Sequence, residues 1–134
     1  MAAQPYAAKL AAYQSTSAHS NVAVSDPHRL IVLLLDGALE RITMAKGCIQ
    51  RGAIVDKAQL INRTVNIVGE LRGSLDLKAG GEIARNLSEL YDYICTRLLK
   101  ASIENHIGHL DEVSGLLREI RGAWIAIPTE ARAR

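Results

Sequence analysis

The sequence predicts an all-α protein: an antiparallel up-down four-helix bundle preceded by a short mobile N-terminal helical segment. Three observations carry that expectation. Hydrophobic residues make up 49% of the chain, yet aromatics are only 4%, with no Phe and three Pro. Leu, Ile, Ala and Val therefore supply the apolar share, which favours helix over sheet. In four long stretches the apolar residues recur at spacings of three and four, with short breaks between them and no alternation of period two.

The 134 residues fit one domain. A chain of this size buries roughly two-thirds of its unfolded surface, so no metal or disulfide staple is needed. We divide it into a flexible arm and linker at 1–25, a bundle at 26–127 and a frayed tail at 128–134. In the arm, Tyr6, Leu10 and Tyr13 are spaced four and three within an Ala-rich segment, forming one narrow apolar stripe. Three turns are marginal alone in water, so this arm docks on something or stays loose. Ser15, Thr16, Ser17, Ser20, Asn21 and Ser25 mark a linker.

Helix one starts at Pro27, a residue pre-shaped for the first helical position, with Asp26 as its cap. Its stripe is Ile31, Leu35, Ala38, Ile42, Ala45 and Ile49, and Gly52 is its stop. Asp56 and Gln59 have the spacing of a capping box and open helix two. That helix carries Ile61, Val65, Val68, Leu71 and Leu75 and breaks at Ala79-Gly80-Gly81. Glu82 then sits in the first turn of helix three, where negative charge is favoured. Helix three carries Ile83, Leu87, Leu90, Ile94, Leu98 and Ala101 and fades over Asn105 to Gly108. Helix four carries Leu110, Val113, Leu117, Ile120, Trp124 and Ile127, and Pro128 ends it.

Several function classes are disfavoured at this point. The net charge is +2, with basic and acidic residues interleaved, so no patch suited to nucleic acid emerges. Cys48 and Cys95 form neither a CxxC nor a disulfide scaffold and read as free thiols. The longest apolar run, Leu30 to Leu35, is far short of the ~20 residues of a membrane span. No apolar signal segment follows Lys9, and a cytoplasmic location is expected. His106 and His109 are three apart with Asp111 close by, but a metal site there lacks a third convincing ligand. His28 lies in a first turn, unlike a mid-helix phosphotransfer histidine. No Glu-x-x-His pair supports a di-iron site, and nothing places Ser, His and Asp as a triad. Gly80-Gly81 reads as a turn between helices. Tyr91 and Tyr93 face different sides of helix three, one packed and one meeting solvent or a partner. We expect no catalysis, cofactor or metal.

Helix one is greasier than its place requires. Six consecutive apolar residues, Leu30 to Leu35, cover every side of a helix, whereas a bundle helix needs one stripe little over ~100° wide. Helix two has a second stripe of Leu60, Ile67 and Leu71 beside its first. A monomer rarely leaves large apolar patches bare. Either the surplus is a wide core stripe on a central helix, or the arm, a second copy of the chain forming a homodimer, or a client covers it.

The chain resembles the FliS family of flagellar secretion chaperones. The resemblance lies in Gly80-Gly81-Glu82-Ile83-Ala84, Asn86-Leu87, Leu90-Tyr91-Asp92-Tyr93 and Leu98-Leu99-Lys100-Ala101. It continues in Pro27-His28-Arg29-Leu30-Ile31 and Leu34-Leu35-Asp36-Gly37-Ala38. Ala12-Tyr13-Gln14, Leu75-Asp76, Glu112-Val113, Leu116-Leu117 and Ala123-Trp124 add to it, in order over about residues 10 to 125. The family often has an aromatic where Leu35 stands, and Asn where Ser102 stands, so no aromatic contact is expected at 35. The resemblance implies a four-helix bundle in the bacterial cytosol that captures the disordered C-terminal region of flagellin. It further implies that capture blocks premature polymerisation and delivers the subunit to the type III export gate. A client of that kind folds into amphipathic helices in apolar grooves. The expected groove is Leu30, Leu33 and Leu34, with Val65, Ile67 and Leu71, and the expected lid is Tyr6, Leu10 and Tyr13. The alternative is a self-associating helical bundle without an export client.

Overall fold

Residues 26–127 are described by the computed structural model, and they form four α-helices: α1 (Pro27–Gln50), α2 (Ile54–Gly73), α3 (Leu77–Glu104) and α4 (Ile107–Ile125). The expected lid of Tyr6, Leu10 and Tyr13 and the tail lie outside the described residues. Each helix packs on its sequence neighbour, and α1 also packs on α4. Short connections make consecutive helices antiparallel, so the four close into a ring.

The helix ends explain the boundaries. The Asp26 carboxylate accepts from the Arg29 amide at 3.2 Å, with Pro27 in the first turn. The α1 terminus turns on Gly52, whose φ of +74° lies in the left-handed region. There the Ala53 amide donates to the Cys48 carbonyl and the Gly52 amide to Ile49, closing two carbonyls left open by the helix. This tight turn leaves only Ala53 before α2. Helix two therefore begins at Ile54, two residues ahead of the expected capping box, and Asp56 sits in its first turn.

The α2–α3 boundary also differs from expectation. Helix two ends earlier, at Gly73, and Ser74 to Asp76 form the connection, but the chain also leaves helical geometry at Gly81, within the expected break. The Asp76 carboxylate accepts from the Ala79 amide at 2.9 Å and caps α3, which Leu77 opens. Leu75 is thus in the connection rather than on α2. Gly80 and Gly81 fall inside α3, where Gly81 (φ 56°, ψ −133°) kinks it. A Cβ on Gly80 would lie 2.6 Å from that of Ala84, so the helix folds back closely on itself here. At the far end Asn105 adopts the left-handed conformation that Asn tolerates, and His106 starts α4.

The core comprises Leu34, Leu35, Ala38 and Ile42 of α1, Ile61, Val68 and Leu71 of α2, Ile94 and Leu98 of α3, and Leu110, Val113 and Leu117 of α4. The α1 surplus now has a partial account. That helix lies between α2 and α4, so its stripe and both flanks find cover: Leu34 and Leu35 are buried, and Leu30, Ile31, Val32 and Leu33 are half-buried. Lys57 is buried at the start of α2, and its ammonium donates to the Ser102 carbonyl at 2.6 Å. A cation there meets the negative end of α3, which offsets part of its desolvation.

Tyr91 is buried and Tyr93 exposed, as the two-sided reading of helix three anticipates. Burial pushes the Tyr91 phenol up to about 12. The unfolded phenol ionises near ~10. The stability that neutral Tyr91 contributes is therefore complete below that pH and is lost as pH rises through the folded value. Urea midpoints should fall between pH 10 and about 12, and a Tyr91→Phe variant should show a shallower fall over that window. Equal slopes would refute this assignment.

Candidate functional site

An apolar trough runs along the seam of α3 and α4. Ile83, Leu87 and Leu90 form one wall, and Ile120, Ala123, Trp124 and Ile127 the other, with Asn86 and Glu119 bringing the polar groups. It encloses about 530 Å³. The wall positions at 83, 87 and 90 follow from helical spacing, which sets them on one side of α3. Ile83 is 80% exposed, an unusual state for a large aliphatic side chain at the mouth of an otherwise apolar cleft.

Trp124 belongs to the trough and to the α1–α4 seam at once. Its indole stacks on the His28 imidazole with centroids 5.1 Å apart and planes 12° from parallel. The Trp124 Nε1–H donates to the His28 carbonyl at 3.0 Å. His28 Nε2 lies 2.6 Å from the Trp124 carbonyl; a carbonyl only accepts, so Nε2 carries the proton and donates. That carbonyl lies in the last turn of α4, where helix carbonyls run short of partners. His28 is a buried connector between helices.

Beyond the trough, α3 and α4 are joined by polar groups. Arg97 Nε donates to the Glu112 carboxylate at 2.9 Å, and the Tyr93 hydroxyl donates to the same carboxylate. The Tyr93 bond holds Glu112 below the ordinary glutamate range and Tyr93 above the ordinary tyrosine range. His109 accepts from Arg97 through Nδ1 and faces Glu104 through Nε2. His106 stacks on His109 at 4.1 Å, so this pair caps and packs the α3–α4 turn. No cluster of three or more metal-ligating side chains occurs among the described residues.

The six residues expected in the groove separate. Leu34, Ile67 and Leu71 are buried in the core at 0–2% exposure and present no surface in this fold. The physical reason is that α1 and α2 turn these side chains onto each other and onto α3 and α4. Leu30 and Leu33 remain half-buried at the surface, Leu33 in a small polar-rimmed pocket with Val32, Asp36 and Ile125. Val65 is half-buried against the core, and its carbonyl lies 3.9 Å from the Cys95 thiol. The residues of the trough are ones whose spacing reads as plain core stripe. Ile83 was the available signal: it opens the stripe two residues after Gly80-Gly81, beside the Gly81 kink near the start of α3.

No helix among the described residues is long and apolar enough to cross a membrane. A family model described as flagellar protein FliS matches residues 9–131. Flagellar secretion chaperone FliSB of Pseudomonas aeruginosa is 44% identical over 115 residues, covering 86% of this chain and 91% of that protein. Flagellar secretion chaperone FliS of Salmonella typhimurium is 40% identical over 126 residues, 93% of each. Its counterpart in Vibrio cholerae is 36% identical over 121 residues, 90% of this chain and 89% of that protein. A bundle with an open apolar seam and a match of this extent lead to one assignment: the chain belongs to the FliS family.

Proposed function

We propose that this protein is a cytosolic flagellar secretion chaperone that binds the disordered C-terminal region of flagellin, without catalysis. Binding withholds the subunit from polymerisation until it reaches the type III export gate. The observation that best supports this reading is the trough between α3 and α4, an apolar cleft open to solvent in a chain of this family. An extended client that becomes an amphipathic helix on binding would place its apolar face there. It would meet the ordering cost from the surface it buries. Leu30, Leu33 and Val65, at the surface of α1 and α2, are further contacts along the path of a long client.

The arm fits the same scheme. Residues 1–25 join the bundle at Asp26, and the His28–Trp124 contact puts that junction beside the trough. Tyr6, Leu10 and Tyr13 would cover the trough until a client displaces them. Calorimetric titration with a synthetic flagellin C-terminal peptide, on the full chain and on a chain lacking residues 1–20, tests both ideas. Saturable one-to-one binding is expected, tighter for the shortened chain. Weaker binding by the shortened chain would make the arm part of the site. No heat and no complex on a sizing column would overturn the client assignment.

The rival reading, self-association without a client, has its own observation. Val55, Leu99 and Ile103 expose 70%, 45% and 83% of their surfaces on α2 and α3. Light scattering separates the two readings: a dimer mass that persists with peptide present favours the rival.

A further inference from the structure

We propose that His28 is a positioning residue for the trough, holding the Trp124 indole as a fixed wall and so setting how tightly an apolar helical segment seats against it. The proposal rests on reading the trough as the client site. Its starting point is an energetic oddity. A large aromatic at the edge of an apolar cleft gains by swinging in and burying its own surface. Trp124 does not do so: it lines the cleft and leaves it open.

The restraint comes from one residue. His28 is 7% exposed and holds Trp124 in three ways. Its ring stacks on the indole at 5.1 Å, its carbonyl accepts the indole N–H at 3.0 Å, and its Nε2–H donates to the Trp124 carbonyl at 2.6 Å. A rotation of the indole into the cleft breaks the stack and orphans the N–H. The arrangement is more than α1 needs for its own attachment. The start of α1 has the Asp26 cap and Pro27, and the α1–α4 seam has the Arg121–Asp36 ion pair one turn before Trp124 on α4. What the His28 contacts add is the orientation of one ring. A fixed wall is pre-organised, so a client does not have to expel the indole before it seats.

Trp124 is the chain's one tryptophan, so its optical signals report this ring alone. The experiment compares the wild-type protein with His28→Ala, His28→Gln and His28→Phe. Readouts are near-UV circular dichroism, steady-state tryptophan anisotropy, binding of the apolar dye anilinonaphthalene sulfonate, and affinity for a labelled flagellin C-terminal peptide. His28→Ala is expected to lose tryptophan near-UV signal and anisotropy, to bind less dye, and to bind peptide about three- to tenfold more weakly, the worth of one net hydrogen bond. His28→Gln keeps a side-chain N–H donor and His28→Phe keeps a stacking face, so each should recover part of the affinity and signal. Such graded rescue does not follow from loss of a bulk packing contact. A folded His28→Ala protein with wild-type anisotropy and dye binding would overturn the proposal. If that variant unfolds, His28→Gln and His28→Phe decide it by the same readouts. A wild-type protein that ignores the peptide would overturn the client reading, while the anisotropy and dye arms would still decide whether His28 positions Trp124.

Discussion

Replacing Ile83 with aspartate should weaken binding of a flagellin C-terminal peptide by about 30- to 150-fold while leaving the fold intact. Both halves of that expectation come from the position. In the free protein the side chain is 80% exposed, and an exposed substitution of this kind changes stability by at most about 0.5 kcal/mol. The new carboxylate would also sit in the opening turn after the Gly81 kink, where a negative charge is favourable. In the complex the same carboxylate would be pressed into an apolar seam without a partner, costing about 2–3 kcal/mol. Calorimetry with the peptide and a thermal melt of the free variant read the two halves separately. Wild-type affinity with an unchanged melt would move the client site away from the trough.

The opposite pattern is expected at Leu98. It is fully buried on α3, the helix that shares faces with α2 and α4. Leu98→Ala should cost about 2–5 kcal/mol, combining lost transfer energy with the cavity left behind. Domains of this kind are typically stable by only about 5–15 kcal/mol. The unfolding midpoint should fall by about 7–18 °C. Urea denaturation followed by circular dichroism gives the free energy directly, and an unchanged slope would show that only stability had moved. A loss under about 1 kcal/mol would mean that the centre of the ring is loosely filled.

The fold was legible because the signals that write helices are local. Asp26 and Pro27 mark the start of α1 in the sequence and cap it in the structure. The stripes of the four helices meet as the core, Ile42, Ile61, Leu98 and Leu117 among them. Boundaries were harder where two local signals compete. Leu75 continues the α2 stripe and Gly80-Gly81 resembles a break. Asp76 nevertheless caps α3 three residues before Ala79, and the glycines become a kink within that helix. The site was less legible, since exposure is a property of neighbours. Leu34 and Ile83 are both large aliphatics on helical stripes. One lies within α1 and is fully buried, and the other stands two residues after the Gly81 kink, near the start of α3, and is bare. No spacing rule distinguishes a stripe that is met from one that is left open.

The closed ring has a topological consequence. The bundle starts and finishes at the same end, with His28 of the first helix bonded to Trp124 of the last. A short linker from Ile127 to Asp26, with a new opening at Leu75, would thread the same four helices in the order α3, α4, α1, α2. Every neighbouring pair would be retained, with the α1–α4 pair becoming a local hairpin and the α2–α3 pair becoming the distant one. The architecture is therefore indifferent to where the ring is cut, and the natural cut decides something else. It sets the first and last described residues of the bundle on one side of the ring, with Ile127 in the wall of the trough and Asp26 two residues from the His28–Trp124 contact.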